Sequence, residues 1–301
     1  MDGILPLWKP KGMTSHDCVF KVRKILKMKK VGHTGTLDPD VDGVLPICLG
    51  RATKIAEYIT DAGKVYEGEV TLGYSTTTED SSGEIVEEKK VDRNISMEDI
   101  ETVLQSFKGI IKQTPPMFSA VKVKGKRLYE YARAGITIDR PSRNVHIYDI
   151  KLLDESKEEK DGYASFRFRV HCSKGTYIRT LAVMIGEELG YPAHMSLLTR
   201  TASASITASD CITFEQLEEL VQNGEVIHNI YPLETGISHL SFFPLDSNLV
   251  MKIKNGAVLP KPNNWPEGQV VMAFNGVAYA IYQIHPENET LIKPVKVLRN
   301  E

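Results

Sequence analysis

The chain has 301 residues, 42% of them hydrophobic and 25% charged, with 37 Lys and Arg against 39 Asp and Glu for a net charge of −2. Such a composition belongs to a globular protein with a full core, and it excludes disordered, collagenous and membrane-bundle classes. No apolar run approaches the ~20 residues that a spanning helix needs, and the N-terminal MDGILPLWKPKGMTSHD lacks the basic-then-apolar order of a secretion signal. Cys18, Cys48, Cys172 and Cys211 contain no C-x-x-C pair, so neither a zinc site nor a disulfide framework is indicated and a reducing cytoplasm is expected.

In chain order, Thr14 or Ser15 is placed to cap a helix whose apolar stripe is Cys18, Val19, Val22, Ile25 and Leu26. VGHTGTLDPDVDG follows, rich in Gly, Thr, Asp and Pro, and reads as a loop. KVYEGEVTLGYST alternates Val65, Glu67, Glu69 and Thr71 with Tyr66, Val70 and Leu72, the pattern of a strand with one polar face. Ser96 and Asp99 open a helix carrying Ile100, Val103, Leu104 and Phe107. YASFRFRVHC predicts a strand with Phe166, Phe168, Val170 and Cys172 on one face and Arg167, Arg169 and His171 on the other, a basic face that suggests an anion nearby.

TYIRTLAVMIGEELG predicts a helix with Ile178, Leu181, Ala182, Ile185 and Leu189 inward and Gly190 as its stop. Arg179 then falls in the first turn, where the helix dipole disfavours a cation, so an anionic partner is expected. Thr213 and Gln216 form the capping box of one more helix, closed by Gly224. From about residue 239 the texture changes to short Pro-punctuated apolar runs, the strands of a small β-rich unit, and a domain boundary is placed near Ser238 to Leu240. Strands and helices alternate before it, as in a mixed sheet with helices.

Charge is uneven: residues 61–110 hold 5 Lys and Arg against 12 Asp and Glu, whereas residues 111–150 hold 8 against 3. The second stretch interleaves Phe118, Tyr129 and Tyr131 with its cations, as an RNA surface requires, although a solvated loop has the same charge pattern. Lys21, Arg23, Lys24, Lys27, Lys29 and Lys30 make a second basic run.

Asp38, Asp40, Asp42 and Gly43 reproduce the D-x-D-x-D-G opening of a calcium loop. The twelfth position of that loop must be a bidentate glutamate, and here it is Leu49, so the aspartates need another explanation. GHTGT lacks the G-K-[ST] ending that grips nucleotide phosphates. Glycoside hydrolysis calls for two flanking carboxylates, whereas in D-P-D the proline sends the two side chains apart; one carboxylate acting as a nucleophile remains.

GHTGTLDPDVDGVLPICLGRATK, KVYEGEVTLG, QTPPMFSAVKVKGKRLYEYARAG and CSKGTYIRTLA resemble, in order and spacing, the signature segments of the bacterial TruB-type tRNA pseudouridine synthases. The resemblance runs from residue 5 to about 235, and the tail is similar to the small β-rich PUA domain of bacterial members. It implies an α+β fold, a mixed and largely antiparallel sheet with flanking helices, in residues 1–238, with a basic RNA-covering insertion at about 112–143. A PUA-like RNA-binding domain would occupy 239–301. It implies an isomerase that flips the uridine at position 55 of the tRNA T-loop into a pocket and rejoins its base through C5, without cofactor or metal.

On this sequence Asp38 matches the catalytic aspartate, Tyr66 the tyrosine that stacks on the target base, and Arg179 the arginine paired with the aspartate. Tyr177 and Leu198 match residues lining the base pocket, and His33 the residue that fills the gap left by the extruded nucleotide. Lys9 and Lys11 match a loop near the site and are expected as phosphate contacts. Two positions depart from the family pattern: Phe118 where tyrosine is common, and Asp42 where a small neutral residue is usual. The partner implied is the tRNA T-stem-loop, bound by a monomer; the alternative is a tRNA-binding or folding protein without chemistry.

Overall fold

Alternation along the strand Lys64–Leu72 is strict, with every even residue buried and every odd one partly exposed. It sets the architecture of its half of the chain, because a strand with one apolar face must be covered on that face. The computed structural model describes residues 1–153 and 158–300. They fall into two compact units, one of residues 1–40, 44–62 and 203–300 and the other of residues 41–43 and 63–202.

In the second unit Lys64–Leu72 pairs antiparallel with Tyr163–Cys172, that strand with Arg143–Leu152, and Arg143–Leu152 with Gly109–Gln113. Ala193–Ser203 adjoins Lys64–Leu72 on its other side. Phe166, Phe168, Val170 and Val70 are fully buried, as are Leu104, Leu181 and Ile185 on the helices Met97–Ser106 and Ile178–Leu189 that flank the sheet. Each such side chain contributes roughly 1.5–3 kcal/mol. The fold is therefore α+β with a largely antiparallel sheet, as the family resemblance implies.

The other face of this sheet answers the expectation of an anion beside Arg167 and Arg169. The anions are internal: Arg167 stands opposite Glu69 and Arg169 opposite Glu67, and Arg167 Nε lies 3.1 Å from Glu69 Oε2.

In the first unit Thr14 caps the helix Ser15–Leu26 with a complete capping box to Asp17, and Cys18, Val19 and Val22 are buried. VGHTGTLDPDVDG is not loop throughout. Val31–His33 is a strand paired antiparallel with Leu49, Cys48 and Ile47, and Asp42–Leu49 is a strand at the other end. The Gly and Pro content masked both strands, whose pairing is tertiary. The boundary expected near residue 238 lies inside this unit, and a separate five-stranded sheet begins just after it at Ser241.

Val271, Ala278, Ile281 and Leu298 of that sheet share a core with Ile4, Val44, Ile55 and Tyr58. Met272, Ala280, Tyr282 and Ile292 form a core of their own with Ile253 of the helix Ser247–Lys254. Polar contacts reinforce the join: Lys54 Nζ donates to the Val297 carbonyl at 2.8 Å, and Arg299 pairs with Glu234 at 2.7 Å.

Candidate active site

The expected site residues divide between the units, Lys9, Lys11, His33 and Asp38 in the first and Tyr66, Tyr177, Arg179 and Leu198 in the second. Asp38 lies on a loop pinned on both sides. Leu37 N donates to Ser15 Oγ at 2.9 Å. The Pro39 carbonyl accepts from Gly12 N at 2.9 Å and from Lys9 Nζ at 3.1 Å. Thr34, which follows His33, is buried and donates Oγ1 to the Pro46 carbonyl at 3.1 Å. The carboxylate of Asp38 is thus carried by a segment whose backbone neighbours have fixed partners.

Lys9 takes a different place from the solvent-facing one that a phosphate contact requires. It is 0% exposed, and its ammonium donates to the carbonyls of Pro10 at 2.9 Å and Pro39. Desolvation explains the arrangement, since a buried ammonium needs oxygens close by. Lys11 is exposed.

The third aspartate of the false calcium pattern has a local role. Asp42 Oδ1 accepts from Thr199 Oγ1 at 2.6 Å, where Asp42 and Gly43 pair in parallel with Thr199 and Arg200. Gly43 has φ +119°, and a Cβ there would lie 2.2 Å from the Arg200 carbonyl oxygen, so only glycine fits. Among the described residues no group of three or more His, Cys, Asp and Glu side chains converges to hold a metal.

Tyr66 is 8% exposed on the buried face of its strand. Leu198 Cδ1 lies 3.3 Å from where a Cβ on Gly68 would stand, two residues along that same face, so Tyr66 and Leu198 serve one surface. Tyr177 is the N-cap residue of the helix Ile178–Leu189, which has no side-chain cap. The Gln113 side chain holds it from both directions, accepting from Tyr177 N at 3.0 Å and donating to its carbonyl at 3.2 Å. The Arg143 guanidinium sits 5.0 Å from the centre of its ring.

Arg179, buried in the first turn of that helix, has beside it an anion, Asp80, that the sequence reading did not name. Nη1 donates to the Thr78 carbonyl at 3.0 Å and lies 3.5 Å from Asp80 Oδ2, while Nη2 donates to the Phe118 carbonyl at 2.9 Å. Asp80 divides its oxygens, Oδ1 accepting from Thr78 Oγ1 at 2.6 Å, Ser82 N at 3.0 Å and Ser82 Oγ at 2.6 Å. The signal available in the sequence was TTTEDSSG, a cluster of turn-forming residues after a strand. Phe118 contributes a backbone carbonyl, which is the same for phenylalanine as for tyrosine.

Burial pushes the Cys18 and Cys172 thiols up to about 11 and Cys48 up to about 12, which leaves these three without nucleophilic character at neutral pH. No helix among the described residues is long and apolar enough to cross a membrane.

The first unit thus carries an aspartate on a pinned loop, and the second an α+β sheet with a buried strand tyrosine and a buried arginine at a helix start. Residues 23–178 match the N-terminal domain described as TruB family pseudouridylate synthase, and residues 179–238 match the tRNA pseudouridylate synthase B C-terminal domain. The chain is 55% identical over 306 residues to the tRNA pseudouridine synthase B of Bacillus pumilus (strain SAFR-032), covering 100% of this chain and 99% of that one. It is 55% identical over 303 residues to that of Bacillus subtilis (strain 168), covering 99% and 98%.

Among solved structures it resembles a chain of a Cbf5-Nop10-Gar1 complex, with a TM-score of 0.76 and 28% identity over 99% of this chain and 85% of that one. It also resembles a chain of an H/ACA RNP bound to a substrate RNA containing 2'-deoxyuridine, with a TM-score of 0.72 and 26% identity over 98% and 84%. The chain belongs to the TruB family of pseudouridylate synthases. It is an isomerase, and its reaction converts uridine in RNA to pseudouridine.

Proposed function

We propose that this chain isomerises the uridine at position 55 in the T-loop of tRNA, with Asp38 as the catalytic carboxylate, Tyr66 stacked on the flipped base and Arg179 as the cation that keeps the carboxylate ionised and aimed. The observation that carries this reading is the loop around Asp38, anchored at Leu37 and at Pro39. An anchored loop presents one carboxylate at a fixed angle, and a reaction on a sugar or base carbon needs such positioning.

In the reaction the C1′–N1 bond breaks, its electron pair leaving with the base. The base turns, C5 bonds to C1′, the C5 proton is lost and N1 gains one. Nothing is oxidised or hydrolysed. The base has to leave the folded T-loop for C5 to be reached, and His33 fills the space it vacates. Tyr177 and Leu198 line the base pocket, the segment 112–143 covers the RNA, and Lys11 contacts a phosphate. Lys9 acts through the loop it anchors.

Residues 239–301 serve as the PUA-like RNA-binding part of a monomer that works in the cytoplasm. Cys18, Cys48, Cys172 and Cys211 form no disulfide with one another, which suits a reducing compartment.

The test is a tRNA transcript carrying tritium at uridine C5, incubated with the protein in EDTA. Label release by the wild type and none by Asp38→Ala, with tRNA binding retained, is the expected outcome. Wild-type release by Asp38→Ala overturns the assignment of Asp38. Binding without release by the wild type favours a folding or carrier role.

A further inference from the structure

Glu79 is the residue between the two that meet Arg179, and it has a left-handed backbone with φ +63°. A glutamate held there needs surrounding contacts to hold it. Its N–H donates to the Thr76 carbonyl at 3.2 Å, its carbonyl accepts from Met195 N at 3.0 Å, and its Oε2 accepts from Thr180 Oγ1 at 2.6 Å. The left-handed turn sets the directions of both the Thr78 carbonyl and the Asp80 side chain, which lie 3.0 Å and 3.5 Å from Arg179 Nη1.

Thr180 immediately follows Arg179 in the helix. The 2.6 Å hydrogen bond therefore ties the residue after the arginine to the residue between the arginine's two partners. Helix and loop come from segments a hundred residues apart, and Glu79 sits in the bend between the strand Tyr74–Thr76 and the β-bridge of Asp80 with Met195.

We infer that Glu79 and Thr180 form a clamp that positions Arg179, by locking the 76–80 loop to the first turn of the helix Ile178–Leu189. Its function is the hydrogen bond rather than the charge. Burial raises the pKa of Glu79, against the opposing pull of Thr180, Arg179 and Arg140 and with Asp80 adding to the rise. A carboxylate kept in surroundings that disfavour its charge is retained for its acceptor. The inference rests on the reading of Arg179 as part of the catalytic machinery.

Five variants of the full chain test it beside an Arg179 control, measured by label release from tRNA and by thermal unfolding. Glu79→Gly removes the clamp while relieving the left-handed strain, so folding is preserved. Thr180→Val removes the donor from the other side. Each is expected to lower kcat roughly 10-fold with KM for tRNA unchanged, since a misplacement of about 1 Å at a positioning contact costs up to 10²-fold. The double variant is expected to lose no more than either single one. Glu79→Gln and Thr180→Ser keep acceptor and donor and are expected to retain wild-type kcat.

Wild-type kcat in Glu79→Gly overturns the clamp. Equal losses in Glu79→Gln and Glu79→Gly assign the effect to charge and overturn it as well. A fall in unfolding temperature that parallels kcat across the series reduces the pair to a structural role. An Arg179→Met control, which removes the cation, separates the two levels: if it has wild-type kcat, the catalytic reading of Arg179 fails, whereas an impaired control beside a normal Glu79→Gly removes the clamp alone.

Discussion

Lys9 and Arg179 are both buried cations, and both donate to backbone carbonyls, yet they work in opposite senses. Lys9 bonds the Pro39 carbonyl and so serves the loop that carries Asp38. At Arg179 two other segments serve the cation: Thr78 and Asp80 of one and Phe118 of the other supply oxygens to it. One region fixes a carboxylate by means of a cation and the other fixes a cation by means of carbonyls and a carboxylate. The residue types match this division. A lysine ammonium is a compact point donor that can reach two carbonyls on adjoining turns, whereas a guanidinium forks to partners lying in different directions.

The largest effect belongs to the carboxylate itself. Asp38→Asn keeps the size of the side chain and the loop anchors but removes the charge, and kcat is expected to fall on the order of 10³-fold or more, with tRNA affinity within about 3-fold of wild type. Single-turnover label release and filter binding check the two halves. Arg179→Lys comes next, since an ammonium cannot reproduce the fork to Thr78 and Phe118; a loss of roughly 10²-fold in kcat is expected, with little change in unfolding temperature. If Lys restores full activity, the fork is dispensable and the contrast between the two regions collapses to charge alone.

Lys9→Met should separate the regions differently. It leaves the Pro10 and Pro39 carbonyls without the ammonium, a loss of about 1–3 kcal/mol in stability that chemical denaturation would register. Activity falls with it because the Asp38 loop loosens. A variant as stable as wild type would show that the buried ammonium does not hold the Asp38 loop in place.

Sequence made some of this legible and not the rest, for physical reasons. The helix Ile178–Leu189 and the misplaced positive charge of Arg179 follow from periodicity and the helix dipole, both local properties. The strand Lys64–Leu72 follows from its alternation. Asp80 was missed because TTTEDSSG resembles any solvated turn, and only the tertiary approach of a helix a hundred residues away makes it a partner. Lys9 was misjudged because lysines are surface residues by default, and burial depends on the whole fold. The shared core of Val271 and Ile281 with Ile4 and Ile55 likewise joins segments that no local pattern connects.

His194 offers a pH test confined to the Arg179 region. Its ring lies 4.3 Å from that of Tyr74, and its Nδ1 is 3.1 Å from the Tyr74 carbonyl, which can only accept, so Nδ1 carries the proton. Burial lowers its pKa from the ordinary 6.5, opposed by its bond to Tyr74 and by the negative charges of Asp80 and Glu69. A histidine with a depressed folded pKa stabilises the fold in its neutral form. That contribution is complete above 6.5 and is lost as pH falls from there toward the lower folded value. Unfolding temperature followed downward from neutral pH should therefore fall more steeply for the wild type than for His194→Asn. Parallel curves would show that the acid sensitivity of this region lies elsewhere.

The smallest effect is expected where a cation is exposed. Arg167 is 56% exposed and pairs with Glu69 across the outer face of the sheet, so water and salt screen the attraction, and such pairs contribute about 0–1 kcal/mol. Arg167→Gln should leave unfolding within that range and lose what little effect it has in high salt. A loss as large as that of Lys9→Met would mean that exposure is not what separates these cations. A loss near zero, beside a large one at Lys9, would identify desolvation as the reason that an arginine on the sheet surface is replaceable while a lysine under the Asp38 loop is not.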